Sequence, residues 1–357
     1  MISGHGRMYM KKDKVRFAIQ GCGRISGLHL DAVKNAPNAE LAAVCDVVEE
    51  KSRQAALNYG LKHWYTNFDH MLAKEDIDVV CICTPSGMHC EHAITAAASG
   101  RHVLCEKPLD VTHDKLDRMI GACREANVLL GGIFQRRTNL AAMNARKAVS
   151  EGKLGRVLMA SASLKYYRDQ EYYDSDSWRG TWALDGGGAL MNQGIHGIDM
   201  LQWLVGDIES VYARCATLAR HIETEDTAAA VVKFENGALG VIEGATSVYP
   251  GQDTIFTIHG EKGTISLGDK GFYVWDFMED SGKPPEAGDG FGGVNCGWAA
   301  TNSGHIQLVR DMAEAVLNGR QPMIPGAEAR KAVDLVLAIY ESSKTGTEIK
   351  IRKAGRE

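Results

Sequence analysis

The 357 residues are 45% apolar and 24% charged, with a formal net charge of −5, an ordinary balance for a soluble globular chain that excludes the disordered, collagenous and membrane classes. No block of like charge marks a nucleic-acid face or a polybasic membrane patch, so a small molecule is the expected partner. The length exceeds what one hydrophobic core usually supports, and two domains are expected.

In chain order, the opening MISGHGRMYMKKDK carries basic residues without the apolar centre of a signal peptide, and residues 1–14 are expected to form a flexible leader. No later apolar run reaches transmembrane length, and the expected location is the cytoplasm. From Val15 to about Phe134 the runs VRFAIQ, LAAVCD, DVVCICTP, HVLCEKP and VLLGGIF alternate with helical stretches. That alternation predicts βαβ units on a parallel sheet, a Rossmann dinucleotide-binding domain over residues 15–136. After Glu151 longer alternating runs take over: VLMASASLKYY, AAAVVKFENGALGVIEGATSVY and DTIFTIHGEKGTISLG. They predict antiparallel strands in an α+β domain over residues 137–357, with hairpin turns at Asn236-Gly237 and Lys262-Gly263. The Gly- and Pro-rich stretch Ser281 to Gly293 reads as irregular surface. SGHIQLVRDMAEAVLNG and EARKAVDLVLAIYESSKTG have helical periodicity, each ending on a glycine where a helix would terminate. Cys81 and Cys83 alternate within an apolar run and no CxxC pair occurs, so the nine cysteines read as reduced thiols and no metal site is expected.

The first apolar run leads straight into GCGRIS, Gly21 to Ser26, and a helix follows at once. Gly21 permits the tight turn and Gly23 lets backbone approach a pyrophosphate on the helix N-terminus. Cofactor contacts are therefore expected at Gly21, Gly23, Arg24 and Ile25, with Ser26 replacing the third glycine of the motif. Asp46 ends the second run, where an acid accepts hydrogen bonds from the adenosine ribose. A carboxylate there repels a 2′-phosphate, and Val47 and Val48 offer no cation to compensate, so NAD is expected rather than NADP.

Three further motifs follow: TPSGMH from Thr84 to His89, CEKP from Cys105 to Pro108, and GGGALMNQGIHGID from Gly186 to Asp199. In this order they resemble the glucose-fructose oxidoreductase, inositol dehydrogenase and rhizopine catabolism family, Gfo/Idh/MocA, over nearly the whole chain. The resemblance implies an N-terminal Rossmann domain and a C-terminal domain with an open, mainly antiparallel sheet. It also implies a closing helix that packs back on the Rossmann domain, and dimers or tetramers assembled through the sheet faces. The implied reaction is hydride exchange between a nicotinamide and a sugar or cyclitol hydroxyl. By position, Thr84, Pro85, Ser86 and His89 would lie along the cofactor, with Glu106 and Lys107 near the nicotinamide. Lys107 would point at the reacting oxygen, and Lys107-Pro108 is a candidate cis peptide.

Oxidising a secondary alcohol removes the hydroxyl proton as well as the hydride, so a base must stand within hydrogen-bond reach. His196 is assigned that role because imidazole titrates near neutrality, and Lys107 is assigned to the developing oxygen charge. Lysine as base, with His196 positioning, is the competing assignment. If the segment is helical from about Ala189, then Asn192, His196 and Asp199 share one face. Asn192 would orient the substrate, and Asp199 is a candidate partner for the imidazole. Many members of the family carry aspartate at the position of Asn192, so the amide removes a carboxylate from beside the histidine.

Four tyrosines and two tryptophans crowd the stretch KYYRDQEYYDSDSWRGTWALD, Lys165 to Asp185, and aromatic faces suit the C–H faces of a pyranose. Several of the six are expected to be structural. Trp178, Arg179, Tyr166 and Arg136 complete the substrate candidates. WRGTWALDGGGALMNQGIH resembles the branch of the family that oxidises C3 of pyranose rings. A glycoside or free sugar is the expected substrate, UDP-N-acetylglucosaminuronate the alternative and an inositol the third choice. A non-catalytic NAD-binding regulator is the reading from another class, opposed by retention of both Lys107 and His196.

Overall fold

Residues 13–279, 282–288 and 302–352 are described by a computed structural model. The leader up to residue 12, and residues 281 and 289–293 of the expected surface loop, lie outside the described residues. Six parallel strands form the first sheet: β1 (Val15–Gln20), β2 (Ala39–Cys45), β3 (Trp64–Tyr65), β4 (Val79–Ile82), β5 (His102–Cys105) and β6 (Leu130–Gly132). Their order, β3-β2-β1-β4-β5-β6, reverses between β1 and β4, and that switch point opens a crevice at the carboxyl ends of the strands. The strands are apolar throughout because helices cover both faces; every residue of β4 is buried. The connecting helices are α1 (Ser26–Asn35), α2 (Glu49–Tyr59), α3 (Phe68–Lys74), α4 (His89–Ala98) and α5 (His113–Glu125).

The second sheet has eight strands: β7 (Val157–Lys165), β8 (Ile208–Ala216), β9 (Thr227–Phe234), β10 (Leu239–Ala245), β11 (Ile255–Gly260), β12 (Gly263–Gly268), β13 (Gly271–Phe277) and β14 (Ile349–Lys350). Its neighbours pair antiparallel except β7 with β10, which run parallel. The hairpins turn at Asn236-Gly237, with Gly237 at φ +87°, and before Gly263, as the sequence predicts. Burial alternates along β9, with Ala228, Ala230, Val232 and Phe234 inward, so one face is covered and the other open.

The remaining helices are α6 (Leu140–Ser150), α7 (Gln170–Asp174), α8 (Ile195–Val205), α9 (Ser303–Asn318) and α10 (Gly326–Thr345). α9 and α10 terminate at Gly319 and Gly346, both in the left-handed region that glycine enters without strain. α9 packs on α1, whereas α10 packs chiefly on β8 and α8. α10 also reaches α5 through His113–Asp334 at 3.0 Å and Arg330–Asp117 at 2.8 Å. One buried apolar cluster runs through both halves, from Val15 to Ile339. Among the described residues no helix is long and apolar enough to cross a membrane, and the described cysteines are all free.

Candidate active site

The carboxyl ends of β1, β4 and β5 open into one cleft of about 860 Å³. Gly21, Gly23, Arg24, Ile25, Asp46, Thr84, Pro85, Ser86, His89, Glu106 and Lys107 all line it, so the cleft gathers every residue placed at the cofactor by the sequence. Gly21 sits at φ +94°, where a Cβ would come within 2.8 Å of the Cys83 carbonyl. A Cβ on Gly23 would meet nothing within 4 Å and would project into the space where a pyrophosphate faces the N-terminus of α1. Ser26 turns inward and its hydroxyl donates to the Gly23 carbonyl at 2.7 Å. The Asp46 carboxylate accepts the Cys22 and Val48 N–H groups at 2.7 and 2.8 Å, one on each oxygen, which leaves lone pairs for ribose hydroxyls. Lys51, which the sequence reading passed over, lines the same end. The residues present thus fit a dinucleotide.

At the other end, Lys107 follows β5 and precedes a cis Lys107-Pro108 peptide, and its Nζ donates to the backbone carbonyl of Asn192 at 2.9 Å. Burial lowers the Lys107 pKa, against the opposing pull of Glu106 and Asp185. Glu106 accepts the Lys107 N–H at 3.0 Å on one oxygen and lies 2.8 Å from His29 Nε2 and 3.5 Å from His305 Nε2 on the other. Burial works against its charge, but the two imidazoles outweigh that and hold the carboxyl well below its ordinary value. Among the described residues, His29, Glu106 and His305 are the group close enough together to hold a metal. His29 Nε2 hydrogen-bonds Glu106, while His29 Nδ1 and His305 Nε2 have no hydrogen-bond partner among the described residues.

His196 opens α8, edge-on to Phe134 at 5.8 Å. Burial, then the Lys107 and Arg136 charges, push its pKa well below 6.5, and no group among the described residues bonds its Nδ1. The residues before it are not α-helical: Ala189–Gly194 form a π-helical turn. That turn corrects the expectation that Asn192, His196 and Asp199 share one face. Asn192 lines the cofactor cleft, but Asp199 faces a separate pocket with Arg146 and Trp203. Both Asp199 oxygens are taken by Arg137, at 2.6 and 2.8 Å, so Asp199 does not orient the imidazole.

Two other substrate candidates also lie apart from the cleft lining. Tyr166 is buried beneath the sheet, its hydroxyl 3.2 Å from Thr254 Oγ1, and Arg136 donates to the same Thr254 oxygen at 3.2 Å. Arg136 acts on the site through its charge from behind Lys107 and His196. Trp178 and Arg179 do line the cleft, joined by Arg168, Tyr172 and Gln193. The Arg179 guanidinium lies 4.5 Å from the Tyr172 ring centre and 4.7 Å from that of Trp178. Of the other aromatic residues in this stretch, Tyr173 is buried against Thr246 and Trp182 packs on Tyr340, as structural residues do.

A model of the oxidoreductase family with an NAD-binding Rossmann fold matches residues 15–133, and a model of the GFO/IDH/MocA C-terminal domain matches residues 142–266. The WlbA dehydrogenase of Bordetella pertussis, solved in complex with NADH and UDP-GlcNAcA, is 36% identical with a TM-score of 0.85 over 95% of this chain and 99% of that one. The chain belongs to the Gfo/Idh/MocA family. Two further relatives are 26% identical: the D-glucoside 3-dehydrogenase of Escherichia coli, over 96% of this chain and 99% of that one, and the myo-inositol 2-dehydrogenase of Thermotoga maritima, over 95% and 99%. As a Gfo/Idh/MocA protein the chain is an NAD-binding oxidoreductase of a sugar dehydrogenase family. Within that family site the sequence reading missed one carboxylate, Asp185, which is 1% exposed and accepts a hydrogen bond from Asn192 Nδ2. Its signal was its position as the last residue before Gly186-Gly187-Gly188.

Proposed function

We propose that the protein oxidises the C3 hydroxyl of a nucleoside-diphosphate-linked sugar acid, such as UDP-N-acetylglucosaminuronate, with NAD as hydride acceptor. The observation that carries this reading is the arginine cluster at one end of the cleft. Arg24, Arg168 and Arg179 line it together, and the Arg24 pKa is lowered by burial and then by the charge of Arg179 and Arg168. Three guanidiniums held against their own repulsion suit a ligand with several negative charges, and their forks match phosphate and carboxylate oxygens. Arg179 is paired with Asp176 at 3.1 Å in the same lining, yet three clustered guanidiniums favour an anionic ligand over a neutral one, so the preference drawn from the aromatic residues reverses and the glycoside becomes the second reading. The solved relative bound to NADH and UDP-GlcNAcA supports the same class.

The nicotinamide, when bound, supplies the hydride acceptor; the chain's own residues handle the proton. Lys107 lines the cleft and burial favours its neutral amine. The ammonium formed when it takes the hydroxyl proton is supported by the Asn192 carbonyl and the Glu106 and Asp185 charges. An imidazolium at His196 would stand instead among Lys107 and Arg136. Proton removal is therefore assigned to Lys107, with neutral His196 as a hydrogen-bond partner of the hydroxyl, and Asn192 and Trp178 orient the ring. Association through the open sheet face and a cytoplasmic location, in keeping with the free thiols, complete the proposal.

The test is NADH absorbance with purified protein, NAD and a panel of UDP-sugar acids, neutral UDP-sugars, glycosides and inositols. Turnover is expected with the UDP-sugar acid. Arg179→Met should raise its KM by about tenfold or more, the loss of one charge-assisted hydrogen bond. Preferred turnover of a neutral glycoside, with a KM indifferent to Arg179→Met, would return the second reading. Tight NAD binding with no turnover of any sugar would favour the regulator.

A further inference from the structure

Asp185 ends the aromatic stretch, and its carboxylate is set from two sides. One oxygen accepts the Gly180 N–H at 2.8 Å; the other accepts the side-chain Nδ2 of Asn192. The Asn192 backbone carbonyl in turn receives Lys107 Nζ at 2.9 Å. We propose that Asp185 is the positioning residue of this active site: it fixes which way the Asn192 amide faces and places a carboxylate behind it. The proposal rests on hydride transfer beside Lys107, not on which sugar arrives there.

An amide's two ends are nearly the same shape, and a partner that can act in only one direction decides between them. An ionised carboxylate accepts and never donates, so Nδ2 of Asn192 must face Asp185 and Oδ1 must face away. Oδ1 then meets Gln193 Nε2 at 3.2 Å. Gln193 Nε2 also donates to the Tyr172 hydroxyl at 2.8 Å, which receives Arg179 Nη1 at 2.7 Å. A continuous hydrogen-bonded line thus runs from the arginine at the cleft mouth to the residue that holds Lys107, and Asp185 sets its polarity. The charged groups acting on Asp185 are Lys107 from the end of β5 and Arg179 from its own segment, with Tyr173 of α7 also close. Those acting on Lys107 are Glu106 and Asp185 on one side and Arg136 and Arg179 on the other.

The test is to exchange the pair. Asp185→Asn sets two amides face to face, and Asn192→Asp sets two carboxylates together; the double variant restores one of each with reversed polarity and puts the carboxylate at 192. With kcat taken on each variant's alkaline plateau, each single change should lower it about 10- to 100-fold with KM for NAD held within about twofold, and the double should recover to within about fivefold of the wild type. Singles that keep wild-type kcat, or a double no faster than the slower single, overturn the proposal. Should Asp185→Asn fail to fold, Asn192→Ala, at a residue lining the open cleft, breaks the same bond: about a tenfold loss is expected, and an unchanged kcat overturns the assignment. A readout without sugar is competitive acetylation of Lys107, followed by peptide mass spectrometry. In Asp185→Asn the pH of half-reaction should move down and in the double variant move back; an unmoved Lys107 overturns the proposal. A wild type that turns over no sugar refutes the proposed function and leaves this labelling result decisive.

Discussion

A buried carboxylate destabilises the fold when it ionises if its partners do not offset the loss of water, and Asp185 is held in that condition. Burial is the largest influence on it, raising its pKa from 3.8 to about 6 against the Gly180 and Asn192 hydrogen bonds and the Lys107 and Arg179 charges. A pKa raised in the folded state means the folded state binds the proton more tightly than the unfolded one. The stabilisation is complete below pH 4 and is lost as pH rises through 6. The difference between the two values is worth about 3 kcal/mol at neutral pH, of which one weakened hydrogen bond would return about 1 kcal/mol. Asp185→Asn is neutral at every pH, so it should raise Tm at pH 7.5 by the equivalent of about 2 kcal/mol, and the gain should vanish by pH 4. Calorimetric scans at both pH values check this, and a lower Tm at pH 7.5 would mean that the hydrogen bonds outweigh the buried charge. The proton acceptor can be settled at the same scale. If Lys107 takes the proton, kcat rises with pH towards its lowered pKa; His196→Gln should lower kcat about tenfold or more while leaving the midpoint of that rise in place. A rise that disappears with His196 would restore the histidine as base.

The π-helical turn at Ala189–Gly194 decides how the catalytic segment is presented, and Glu225 decides the turn. Its carboxylate, 2% exposed, accepts the N–H groups of Gly188 and Leu190 at 3.0 and 2.8 Å and the Tyr340 hydroxyl at 2.8 Å, while its own carbonyl accepts the Ala189 N–H at 3.0 Å. Glu225→Ala strands two buried N–H groups and should cost about 3 kcal/mol or more. Since the turn places Asn192 and His196 but not the phosphate loop, kcat should fall far more than NADH affinity, which fluorescence titration measures. A variant that loses both together would show the turn to be a general support instead. None of this was legible in the sequence, because the acceptors come from more than thirty residues away and a helical pattern of side chains does not reveal an added residue per turn. The same distance hid the partners of Asp199 and Tyr166: Arg137 and Thr254 are remote in sequence, and only folding brings them together. The cofactor end was legible because its determinants are local. A strand, a glycine turn and a helix in immediate succession, and an acid at the end of the next strand, fix their own geometry whatever the rest of the chain does.

At the scale of the whole molecule, the fold leaves one face of the eight-stranded sheet open. Met159 of β7 stands opposite Leu239 of β10, and Val231 of β9 opposite both Val241 of β10 and Tyr212 of β8. Met159, Tyr212, Val231 and Leu239 are each more than 40% exposed. Apolar side chains at registered positions on adjacent strands make a continuous patch rather than scattered exposure, and a patch of that kind is buried in most soluble proteins by association. Residues from both halves of the chain line the cleft. Val231→Lys combined with Leu239→Lys sets like charges on the patch without touching the inward residues Val232 and Ile242, which hold the core. Light scattering after gel filtration should find the wild type as a dimer or tetramer and the double variant as a monomer. The monomer should bind NADH within about twofold of the wild-type affinity, because distant, independent sites behave additively. A wild type that is monomeric at micromolar concentration would refute association through this face, whereas a monomeric variant that no longer binds NADH would mean that the interface braces the cleft from outside.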